Sequence, residues 1–150
     1  MIRLSPHFTL EEMTVSEVAQ RKGWRNEPDE REIKNLQRLA KLLEAVKTLL
    51  GGKPILINSA YRCKLVNDAV GSKDTSQHRI GCAADIRVPG MTPEQVVKAV
   101  VASDIQYDQV IVEFDTWTHI SVPSTESSKA RKQALVINKG GTFLFPQEKK

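Results

Sequence analysis

The chain has 150 residues and a mass of 16.8 kDa, with 40% apolar and 27% charged side chains. That balance excludes disorder, collagen and coiled coil, and the length suits one compact domain burying roughly 70% of the surface its unfolded chain would expose. Lys plus Arg, 22, exceeds Asp plus Glu, 18, by 4, a mild basic excess that attracts polyanions without selecting one.

Thr9 with Glu12, and Thr14 with Glu17, have capping-box spacing, and Gly23 follows Gln20-Arg21-Lys22 as a stop, so Thr9 to Lys22 is predicted as two short helices or one broken one. Trp24 to Pro28 reads as a connector. From Asp29, Ile33, Leu36, Leu39, Ala40, Leu43, Val46, Leu49 and Leu50 recur at helical spacing until Gly51-Gly52, which predicts a long helix. Pro54 to Asn58 is a short apolar run expected to be a buried strand, and Lys64 to Ser76 a polar, Gly-containing loop with room for a turn of helix.

Ala83 to Val88 reads as a second strand stopped by Pro89-Gly90. Thr92, Pro93 and Gln95 then open a helix to about Ser103. Gln109 to Phe114 with Trp117 to Val122 is a predicted hairpin, as is Ala134 to Asn138 with Thr142 to Phe145 across Gly140-Gly141, and Gln147 to Lys150 reads as a solvated tail. Helices first and strands later give an α+β expectation, with helices packed on one face of a small, mainly antiparallel sheet. The chain is expected to be one domain over 1–150, with a helical part at about 9–50 and an α+β part at about 54–145.

No apolar run approaches the roughly 18 residues of a membrane helix, and the first residues lack a secretory pattern, so no membrane insertion and synthesis in the cytoplasm without a signal peptide are expected. Aromatic content of 5% with no basic-aromatic stretch argues against nucleic acid as a partner. Cys63 and Cys82 are too few for a disulfide scaffold and are expected as reduced, mostly buried thiols.

Two of the three histidines, His78 and His119, stand in the strand-rich second half, and Asp85 follows His78 at the head of a strand behind small residues. A carboxylate buried there needs a cation, and two imidazoles with one carboxylate are a zinc ligand set with one open position. The rival readings are two ordinary core or surface histidines with a turn-capping Asp85, or a Cys-containing site using Cys82. If Asp115, Thr116 and Trp117 form a three-residue loop, Glu113 falls directly opposite His119, roughly 5 Å away between Cβ atoms. A general base for a metal-activated water would stand there, although a plain cross-strand hydrogen bond would use the same spacing, and Asp115 is a rival carboxylate better read as a turn residue. His7, Trp24 and Trp117 are read as structural: an N-terminal helix contact and two packing aromatics, Trp117 walling the metal pocket.

With Phe8-Thr9-Leu10-Glu11-Glu12-Met13, Asn58-Ser59-Ala60-Tyr61-Arg62, the ordered Ser-x-His-x-x-Gly-x-Ala-x-Asp from Ser76 to Asp85, and Trp117-Thr118-His119, the chain resembles the M15 family of zinc D-Ala-D-Ala carboxypeptidases and related phage cell-wall peptidases, whose core the hedgehog signalling domain shares. The resemblance implies His78, Asp85 and His119 as zinc ligands, Glu113 as catalytic base, Arg62 as the group that binds substrate and stabilises the oxyanion, and Ser76 near the substrate carboxylate. Ala60 and Cys63 depart from the commoner pattern, Cys63 standing beside Arg62.

The function so implied is hydrolysis of a peptide bond in peptidoglycan stem peptides by a carboxypeptidase-like or endolysin-like enzyme. It would work as a monomer on the cell wall, in the periplasm, after release by a holin-type partner. The alternative is a non-catalytic zinc-stabilised module that binds cell wall or belongs to a virion, against which Glu113 and Arg62 both speak.

Overall fold

A computed structural model describes residues 2–73, 75–125 and 127–145; the expected tail at Gln147 to Lys150 lies outside them. A small ladder, β1 (Arg3–Ser5) with β2 (Phe8–Thr9), precedes α1 (Leu10–Thr14) and α2 (Glu17–Lys22). Thr9 caps α1 in a reciprocal box with Glu12. The second box does not form. Thr14 closes α1 by donating to the Leu10 carbonyl at 2.9 Å, and Ser16 caps α2 instead, accepting from Ala19 N–H at 3.1 Å.

Helix α3 (Glu30–Leu49) opens on an Asp29–Glu32 box and buries Leu36, Leu39, Ala40, Leu43 and Val46. Leu49, expected in that stripe, is exposed, because it stands in the last turn beyond the packed face. The strand expected at Pro54 to Asn58 is β3 (Leu56–Ser59), and it is an edge strand with Leu56 about half exposed rather than a buried one. The polar segment after it holds α4 (Lys64–Ala69) and leads to a 3₁₀ turn, Gln77–Ile80, followed by β4 (Ala83–Arg87). Helix α5 (Pro93–Val101) starts on the Thr92–Gln95 box, and β5 (Gln109–Glu113), β6 (Trp117–Ser121), β7 (Gln133–Asn138) and β8 (Gly141–Leu144) follow.

Strands β3 to β8 form one sheet in the order β3-β4-β6-β5-β7-β8, antiparallel throughout except for the parallel β5–β7 pair. The architecture is α+β with a mainly antiparallel open sheet. Side chains alternate across it. Ala84, Ile86, Val110, Val112 and Ile120 point into a core shared with α3 and α5. Their neighbours Asp85, Ile111, Glu113 and His119 line a groove on the opposite face.

Gly81 lets the 3₁₀ turn press against α3. Its φ is +80°, and a Cβ there would meet the Glu32 carbonyl at 2.8 Å and Leu36 Cγ at 3.1 Å. The β5–β6 hairpin corrects the expected register. The loop is Phe114 to Thr116, so Glu113 pairs with Trp117 and His119 with Ile111. Phe114 and Asp115 both take φ of 52°, and Thr116 N–H closes the turn on the Glu113 carbonyl at 3.0 Å. The positive-φ pair matches the twist of the flanking strands, and that places the turn one position earlier than a loop beginning at Asp115.

Candidate metal centre

The β4–β6 register places Asp85 directly opposite His119. His78 arrives from the 3₁₀ turn, which Ser76 caps by accepting from His78 N–H at 3.3 Å. The three side chains are buried, and one donor atom from each lies within 4.8 Å of the others. Asp85 Oδ1 is 3.3 Å from His78 Nε2 and 3.1 Å from His119 Nδ1.

The tautomer of His78 follows from its other nitrogen. Nδ1 lies 2.7 Å from the Ala60 carbonyl, which can only accept, so Nδ1 carries the proton. In the neutral ring Nε2 is then a lone pair facing a carboxylate oxygen, two acceptors with nothing between them. Burial keeps the imidazole in that neutral form, since it lowers the His78 pKa against the opposing pull of Asp85. Burial alone would raise the Asp85 carboxyl, but the hydrogen bond from His119 Nδ1 at 3.1 Å leads the opposing influences, and the group is held far below the usual carboxylate range. Two nitrogens and one oxygen converging on one point, with a hydrogen bond orienting a ligand ring from behind, fit a divalent ion of the zinc type.

Glu113 Oε1 is 3.5 Å from His119 Nδ1. The corrected register makes them diagonal neighbours on one sheet face, so the predicted adjacency holds through a different pairing. Burial first, and then the charge of Asp85, raise the Glu113 pKa, which favours a group that can take up and release a proton. Arg62 lines the same groove, its charge penalised by burial and supported by Asp85 and Glu113. Ser76 also lines the groove, with its hydroxyl already engaged by His78 N–H.

Cys82 lies outside the cluster. Its thiol faces Arg38 at 3.6 Å and the Pro123 carbonyl at 3.7 Å, and burial pushes its pKa up to about 11. The Cys82-containing site is thereby overturned. Cys63 is a free, half-buried thiol preceding α4, and Asp115 is an exposed turn residue. His7 Nδ1 lies 2.7 Å from Glu44 Oε1 of α3, and Trp117 walls the groove as expected.

The groove has a volume of about 1400 Å³. It contains a cation the sequence reading missed: Arg131 is gripped by the buried Asp108 through Nη2 at 2.6 Å and Nε at 3.0 Å. Gln77, next to His78, donates to the same carboxylate at 3.0 Å. Arg131 sits in an irregular segment with no periodicity, and nothing in the sequence distinguished it from other surface arginines.

Two histidines and an aspartate at the floor of this groove could hold a metal ion, with a second carboxylate, Glu113, and Arg62 beside them. The chain matches the peptidase M15 family over residues 6–121, a span containing every one of these groups, and it belongs to that family. A search of the curated proteins finds no significant match.

Proposed function

We propose that this peptidase is zinc-dependent, with His78, Asp85 and His119 as the ligands, and that it hydrolyses a peptide bond in the stem peptides of bacterial peptidoglycan. The reading rests on one observation above others: His78 Nε2, whose ring places its proton on Nδ1 against the Ala60 carbonyl, lies 3.3 Å from Asp85 Oδ1 beside His119. A cation between them removes the conflict.

Zinc bound there would supply Lewis-acid charge, acidifying water and polarising the scissile carbonyl. Glu113, on the same face, takes the proton of the attacking water on its carboxylate and returns it to the departing amine. Arg62 offers a planar fork of donors to a substrate carboxylate or to the oxygen that gains charge. Arg62 and Arg131 line one groove, and this supports a substrate that carries free carboxylates, as stem peptides do. In this reading the protein acts on the wall side of the membrane as a monomer, reaching it through a separate permeabilising factor.

The test is mass spectrometry of purified peptidoglycan fragments before and after incubation with the zinc-loaded protein. New fragments that differ by one hydrolysed peptide bond are expected, and their masses name the bond. Unchanged fragments together with retained wall binding would favour a zinc-stabilised binding module instead.

A further inference from the structure

Past the end of β3 the chain leaves the sheet, and the segment Ala60 to Cys63, which carries Arg62, has no strand beside it among the described residues. Its backbone groups must find partners elsewhere. The Ala60 carbonyl meets His78 Nδ1, Tyr61 N–H donates to the Met13 carbonyl at 2.8 Å, and Arg62 N–H donates to the His78 carbonyl at 3.0 Å. The two groups that flank Arg62 are both taken by one side chain. Asn26 Nδ2 donates to the Tyr61 carbonyl at 2.9 Å, and Asn26 Oδ1 accepts from Cys63 N–H at 2.8 Å.

The second N–H of that amide donates to the Thr14 carbonyl at the end of α1, at 2.8 Å. Two carbonyl acceptors on one end and an N–H donor on the other fix which way the amide points. Arg25 and Glu27, on either side, are exposed, while Asn26 is half-buried and turned inward, as are Trp24 and Pro28. Nothing in the connector's composition separated it from its neighbours; the nearest signal is an Asn two residues before Pro28 in a segment without periodicity.

We propose that Asn26 is a positioning residue for Arg62: it stands in for the missing strand, fixes the backbone on both sides of that arginine, and thereby aims the guanidinium into the groove. This rests on the proposed role of Arg62 in peptide hydrolysis. Arg62 is sensitive to such support. Its Nε is buried and makes no hydrogen bond among the described residues, so the guanidinium is held by its backbone and by packing rather than by a bond at that atom. A tilt at the backbone is magnified along the side chain, and a displacement of about 1 Å at a positioning group can cost roughly a hundredfold in rate.

The experiment uses Asn26→Ala and the near-isosteric Asn26→Asp, which keeps the acceptor for Cys63 N–H but replaces the donors with a second oxygen. Both are made alone and combined with Arg62→Ala, and each is checked for zinc content and cooperative melting. Two readouts follow. In steady-state hydrolysis of a stem peptide, Asn26→Ala should lower kcat/KM by about a hundredfold in the native background and by less than threefold when Arg62 is already Ala. In proton–nitrogen NMR, the Arg62 Nε–H resonance should be sharp and slow to exchange in the native protein, and averaged or fast to exchange in the Asn26 variants.

An unchanged Arg62 Nε–H signal in a folded variant overturns the inference whatever the hydrolysis assay gives. So does an equal loss of rate in both backgrounds. A native protein that cuts no stem peptide, yet shows the resonance change, refutes the peptidase substrate and leaves the positioning intact. Should Asn26→Ala fail to fold, the Asp variant carries both measurements.

Discussion

The amide N–H of Arg62 donates to the carbonyl of His78 at 3.0 Å, so the group proposed to meet the substrate and the first proposed zinc ligand are joined through their backbones. His78 Nδ1 returns the connection to Ala60, two residues before Arg62. Disturbance of either segment is therefore transmitted to the other, and the chemistry of the groove is best probed by side-chain changes that leave this exchange intact.

Elemental analysis of the purified protein should find one zinc per chain. His78→Ala or Asp85→Ala should release it, since two ligands rarely hold zinc against dilution. Full retention of zinc in both variants would remove the ligand assignment. With zinc at about a hundred times its Kd, linkage gives roughly 2.7 kcal/mol of added stability, so chelation should lower Tm by about 5–10 °C.

Glu113→Gln preserves size and the cross-strand pairing with Trp117 while removing the basic oxygen. Zinc content and Tm should stay near native, and kcat should fall by about 10²–10⁴, the range of a lost general base. Turnover within a few-fold of native would transfer the proton to another group.

Asp108 gives stability a defined pH dependence. Burial alone would raise its pKa, but hydrogen bonds from the Arg131 side chain and backbone and from Gln77 outweigh it, and the folded carboxyl lies below its unfolded value. A depressed acid contributes stability that is present above the unfolded pKa of about 3.9 and is lost as pH falls through the folded value. Urea titrations should thus show Asp108→Asn clearly destabilised at pH 6, with the gap to the native protein narrowing below about pH 4. A gap independent of pH would contradict the ion pair.

Gly81→Ala is expected to be severe for two separate reasons. The φ of +80° disfavours a side chain, and the new Cβ would press on the Glu32 carbonyl at 2.8 Å, which is backbone and cannot swing away. The cost should reach about 2–4 kcal/mol by chemical denaturation. Because the same turn carries His78, zinc affinity should fall as well. A variant of native stability and native zinc affinity would show that the turn does not depend on this close approach.

The parts of the molecule that were legible in the sequence are those set by local chemistry. The Thr9–Glu12 and Thr92–Gln95 boxes are complete within four residues, and the α3 stripe declares itself by period. His78, Asp85 and His119 stood out because their residue types in that order suit one ion. What stayed hidden depends on tertiary partners. The Thr14–Glu17 spacing matched a cap, but Ser16 was better placed, and the hairpin register turned on the left-handed φ of Phe114, a residue that rarely adopts it. The parallel β5–β7 pair, the edge position of β3 and the three bonds of Asn26 join segments distant in sequence, for which periodicity carries no signal.

Because core and groove side chains alternate along the same strands, catalysis and folding share a reading frame. Insertion of one residue before His119 within β6 would turn Ile120 outward and drive the imidazole into the packed interior, so both properties would be lost at a stroke. Exchanges at Ile111, Leu135 or Ile137, whose side chains line the groove, leave the frame intact. This sheet can therefore diversify what it accepts by point substitution, while changes in strand length are barred to it.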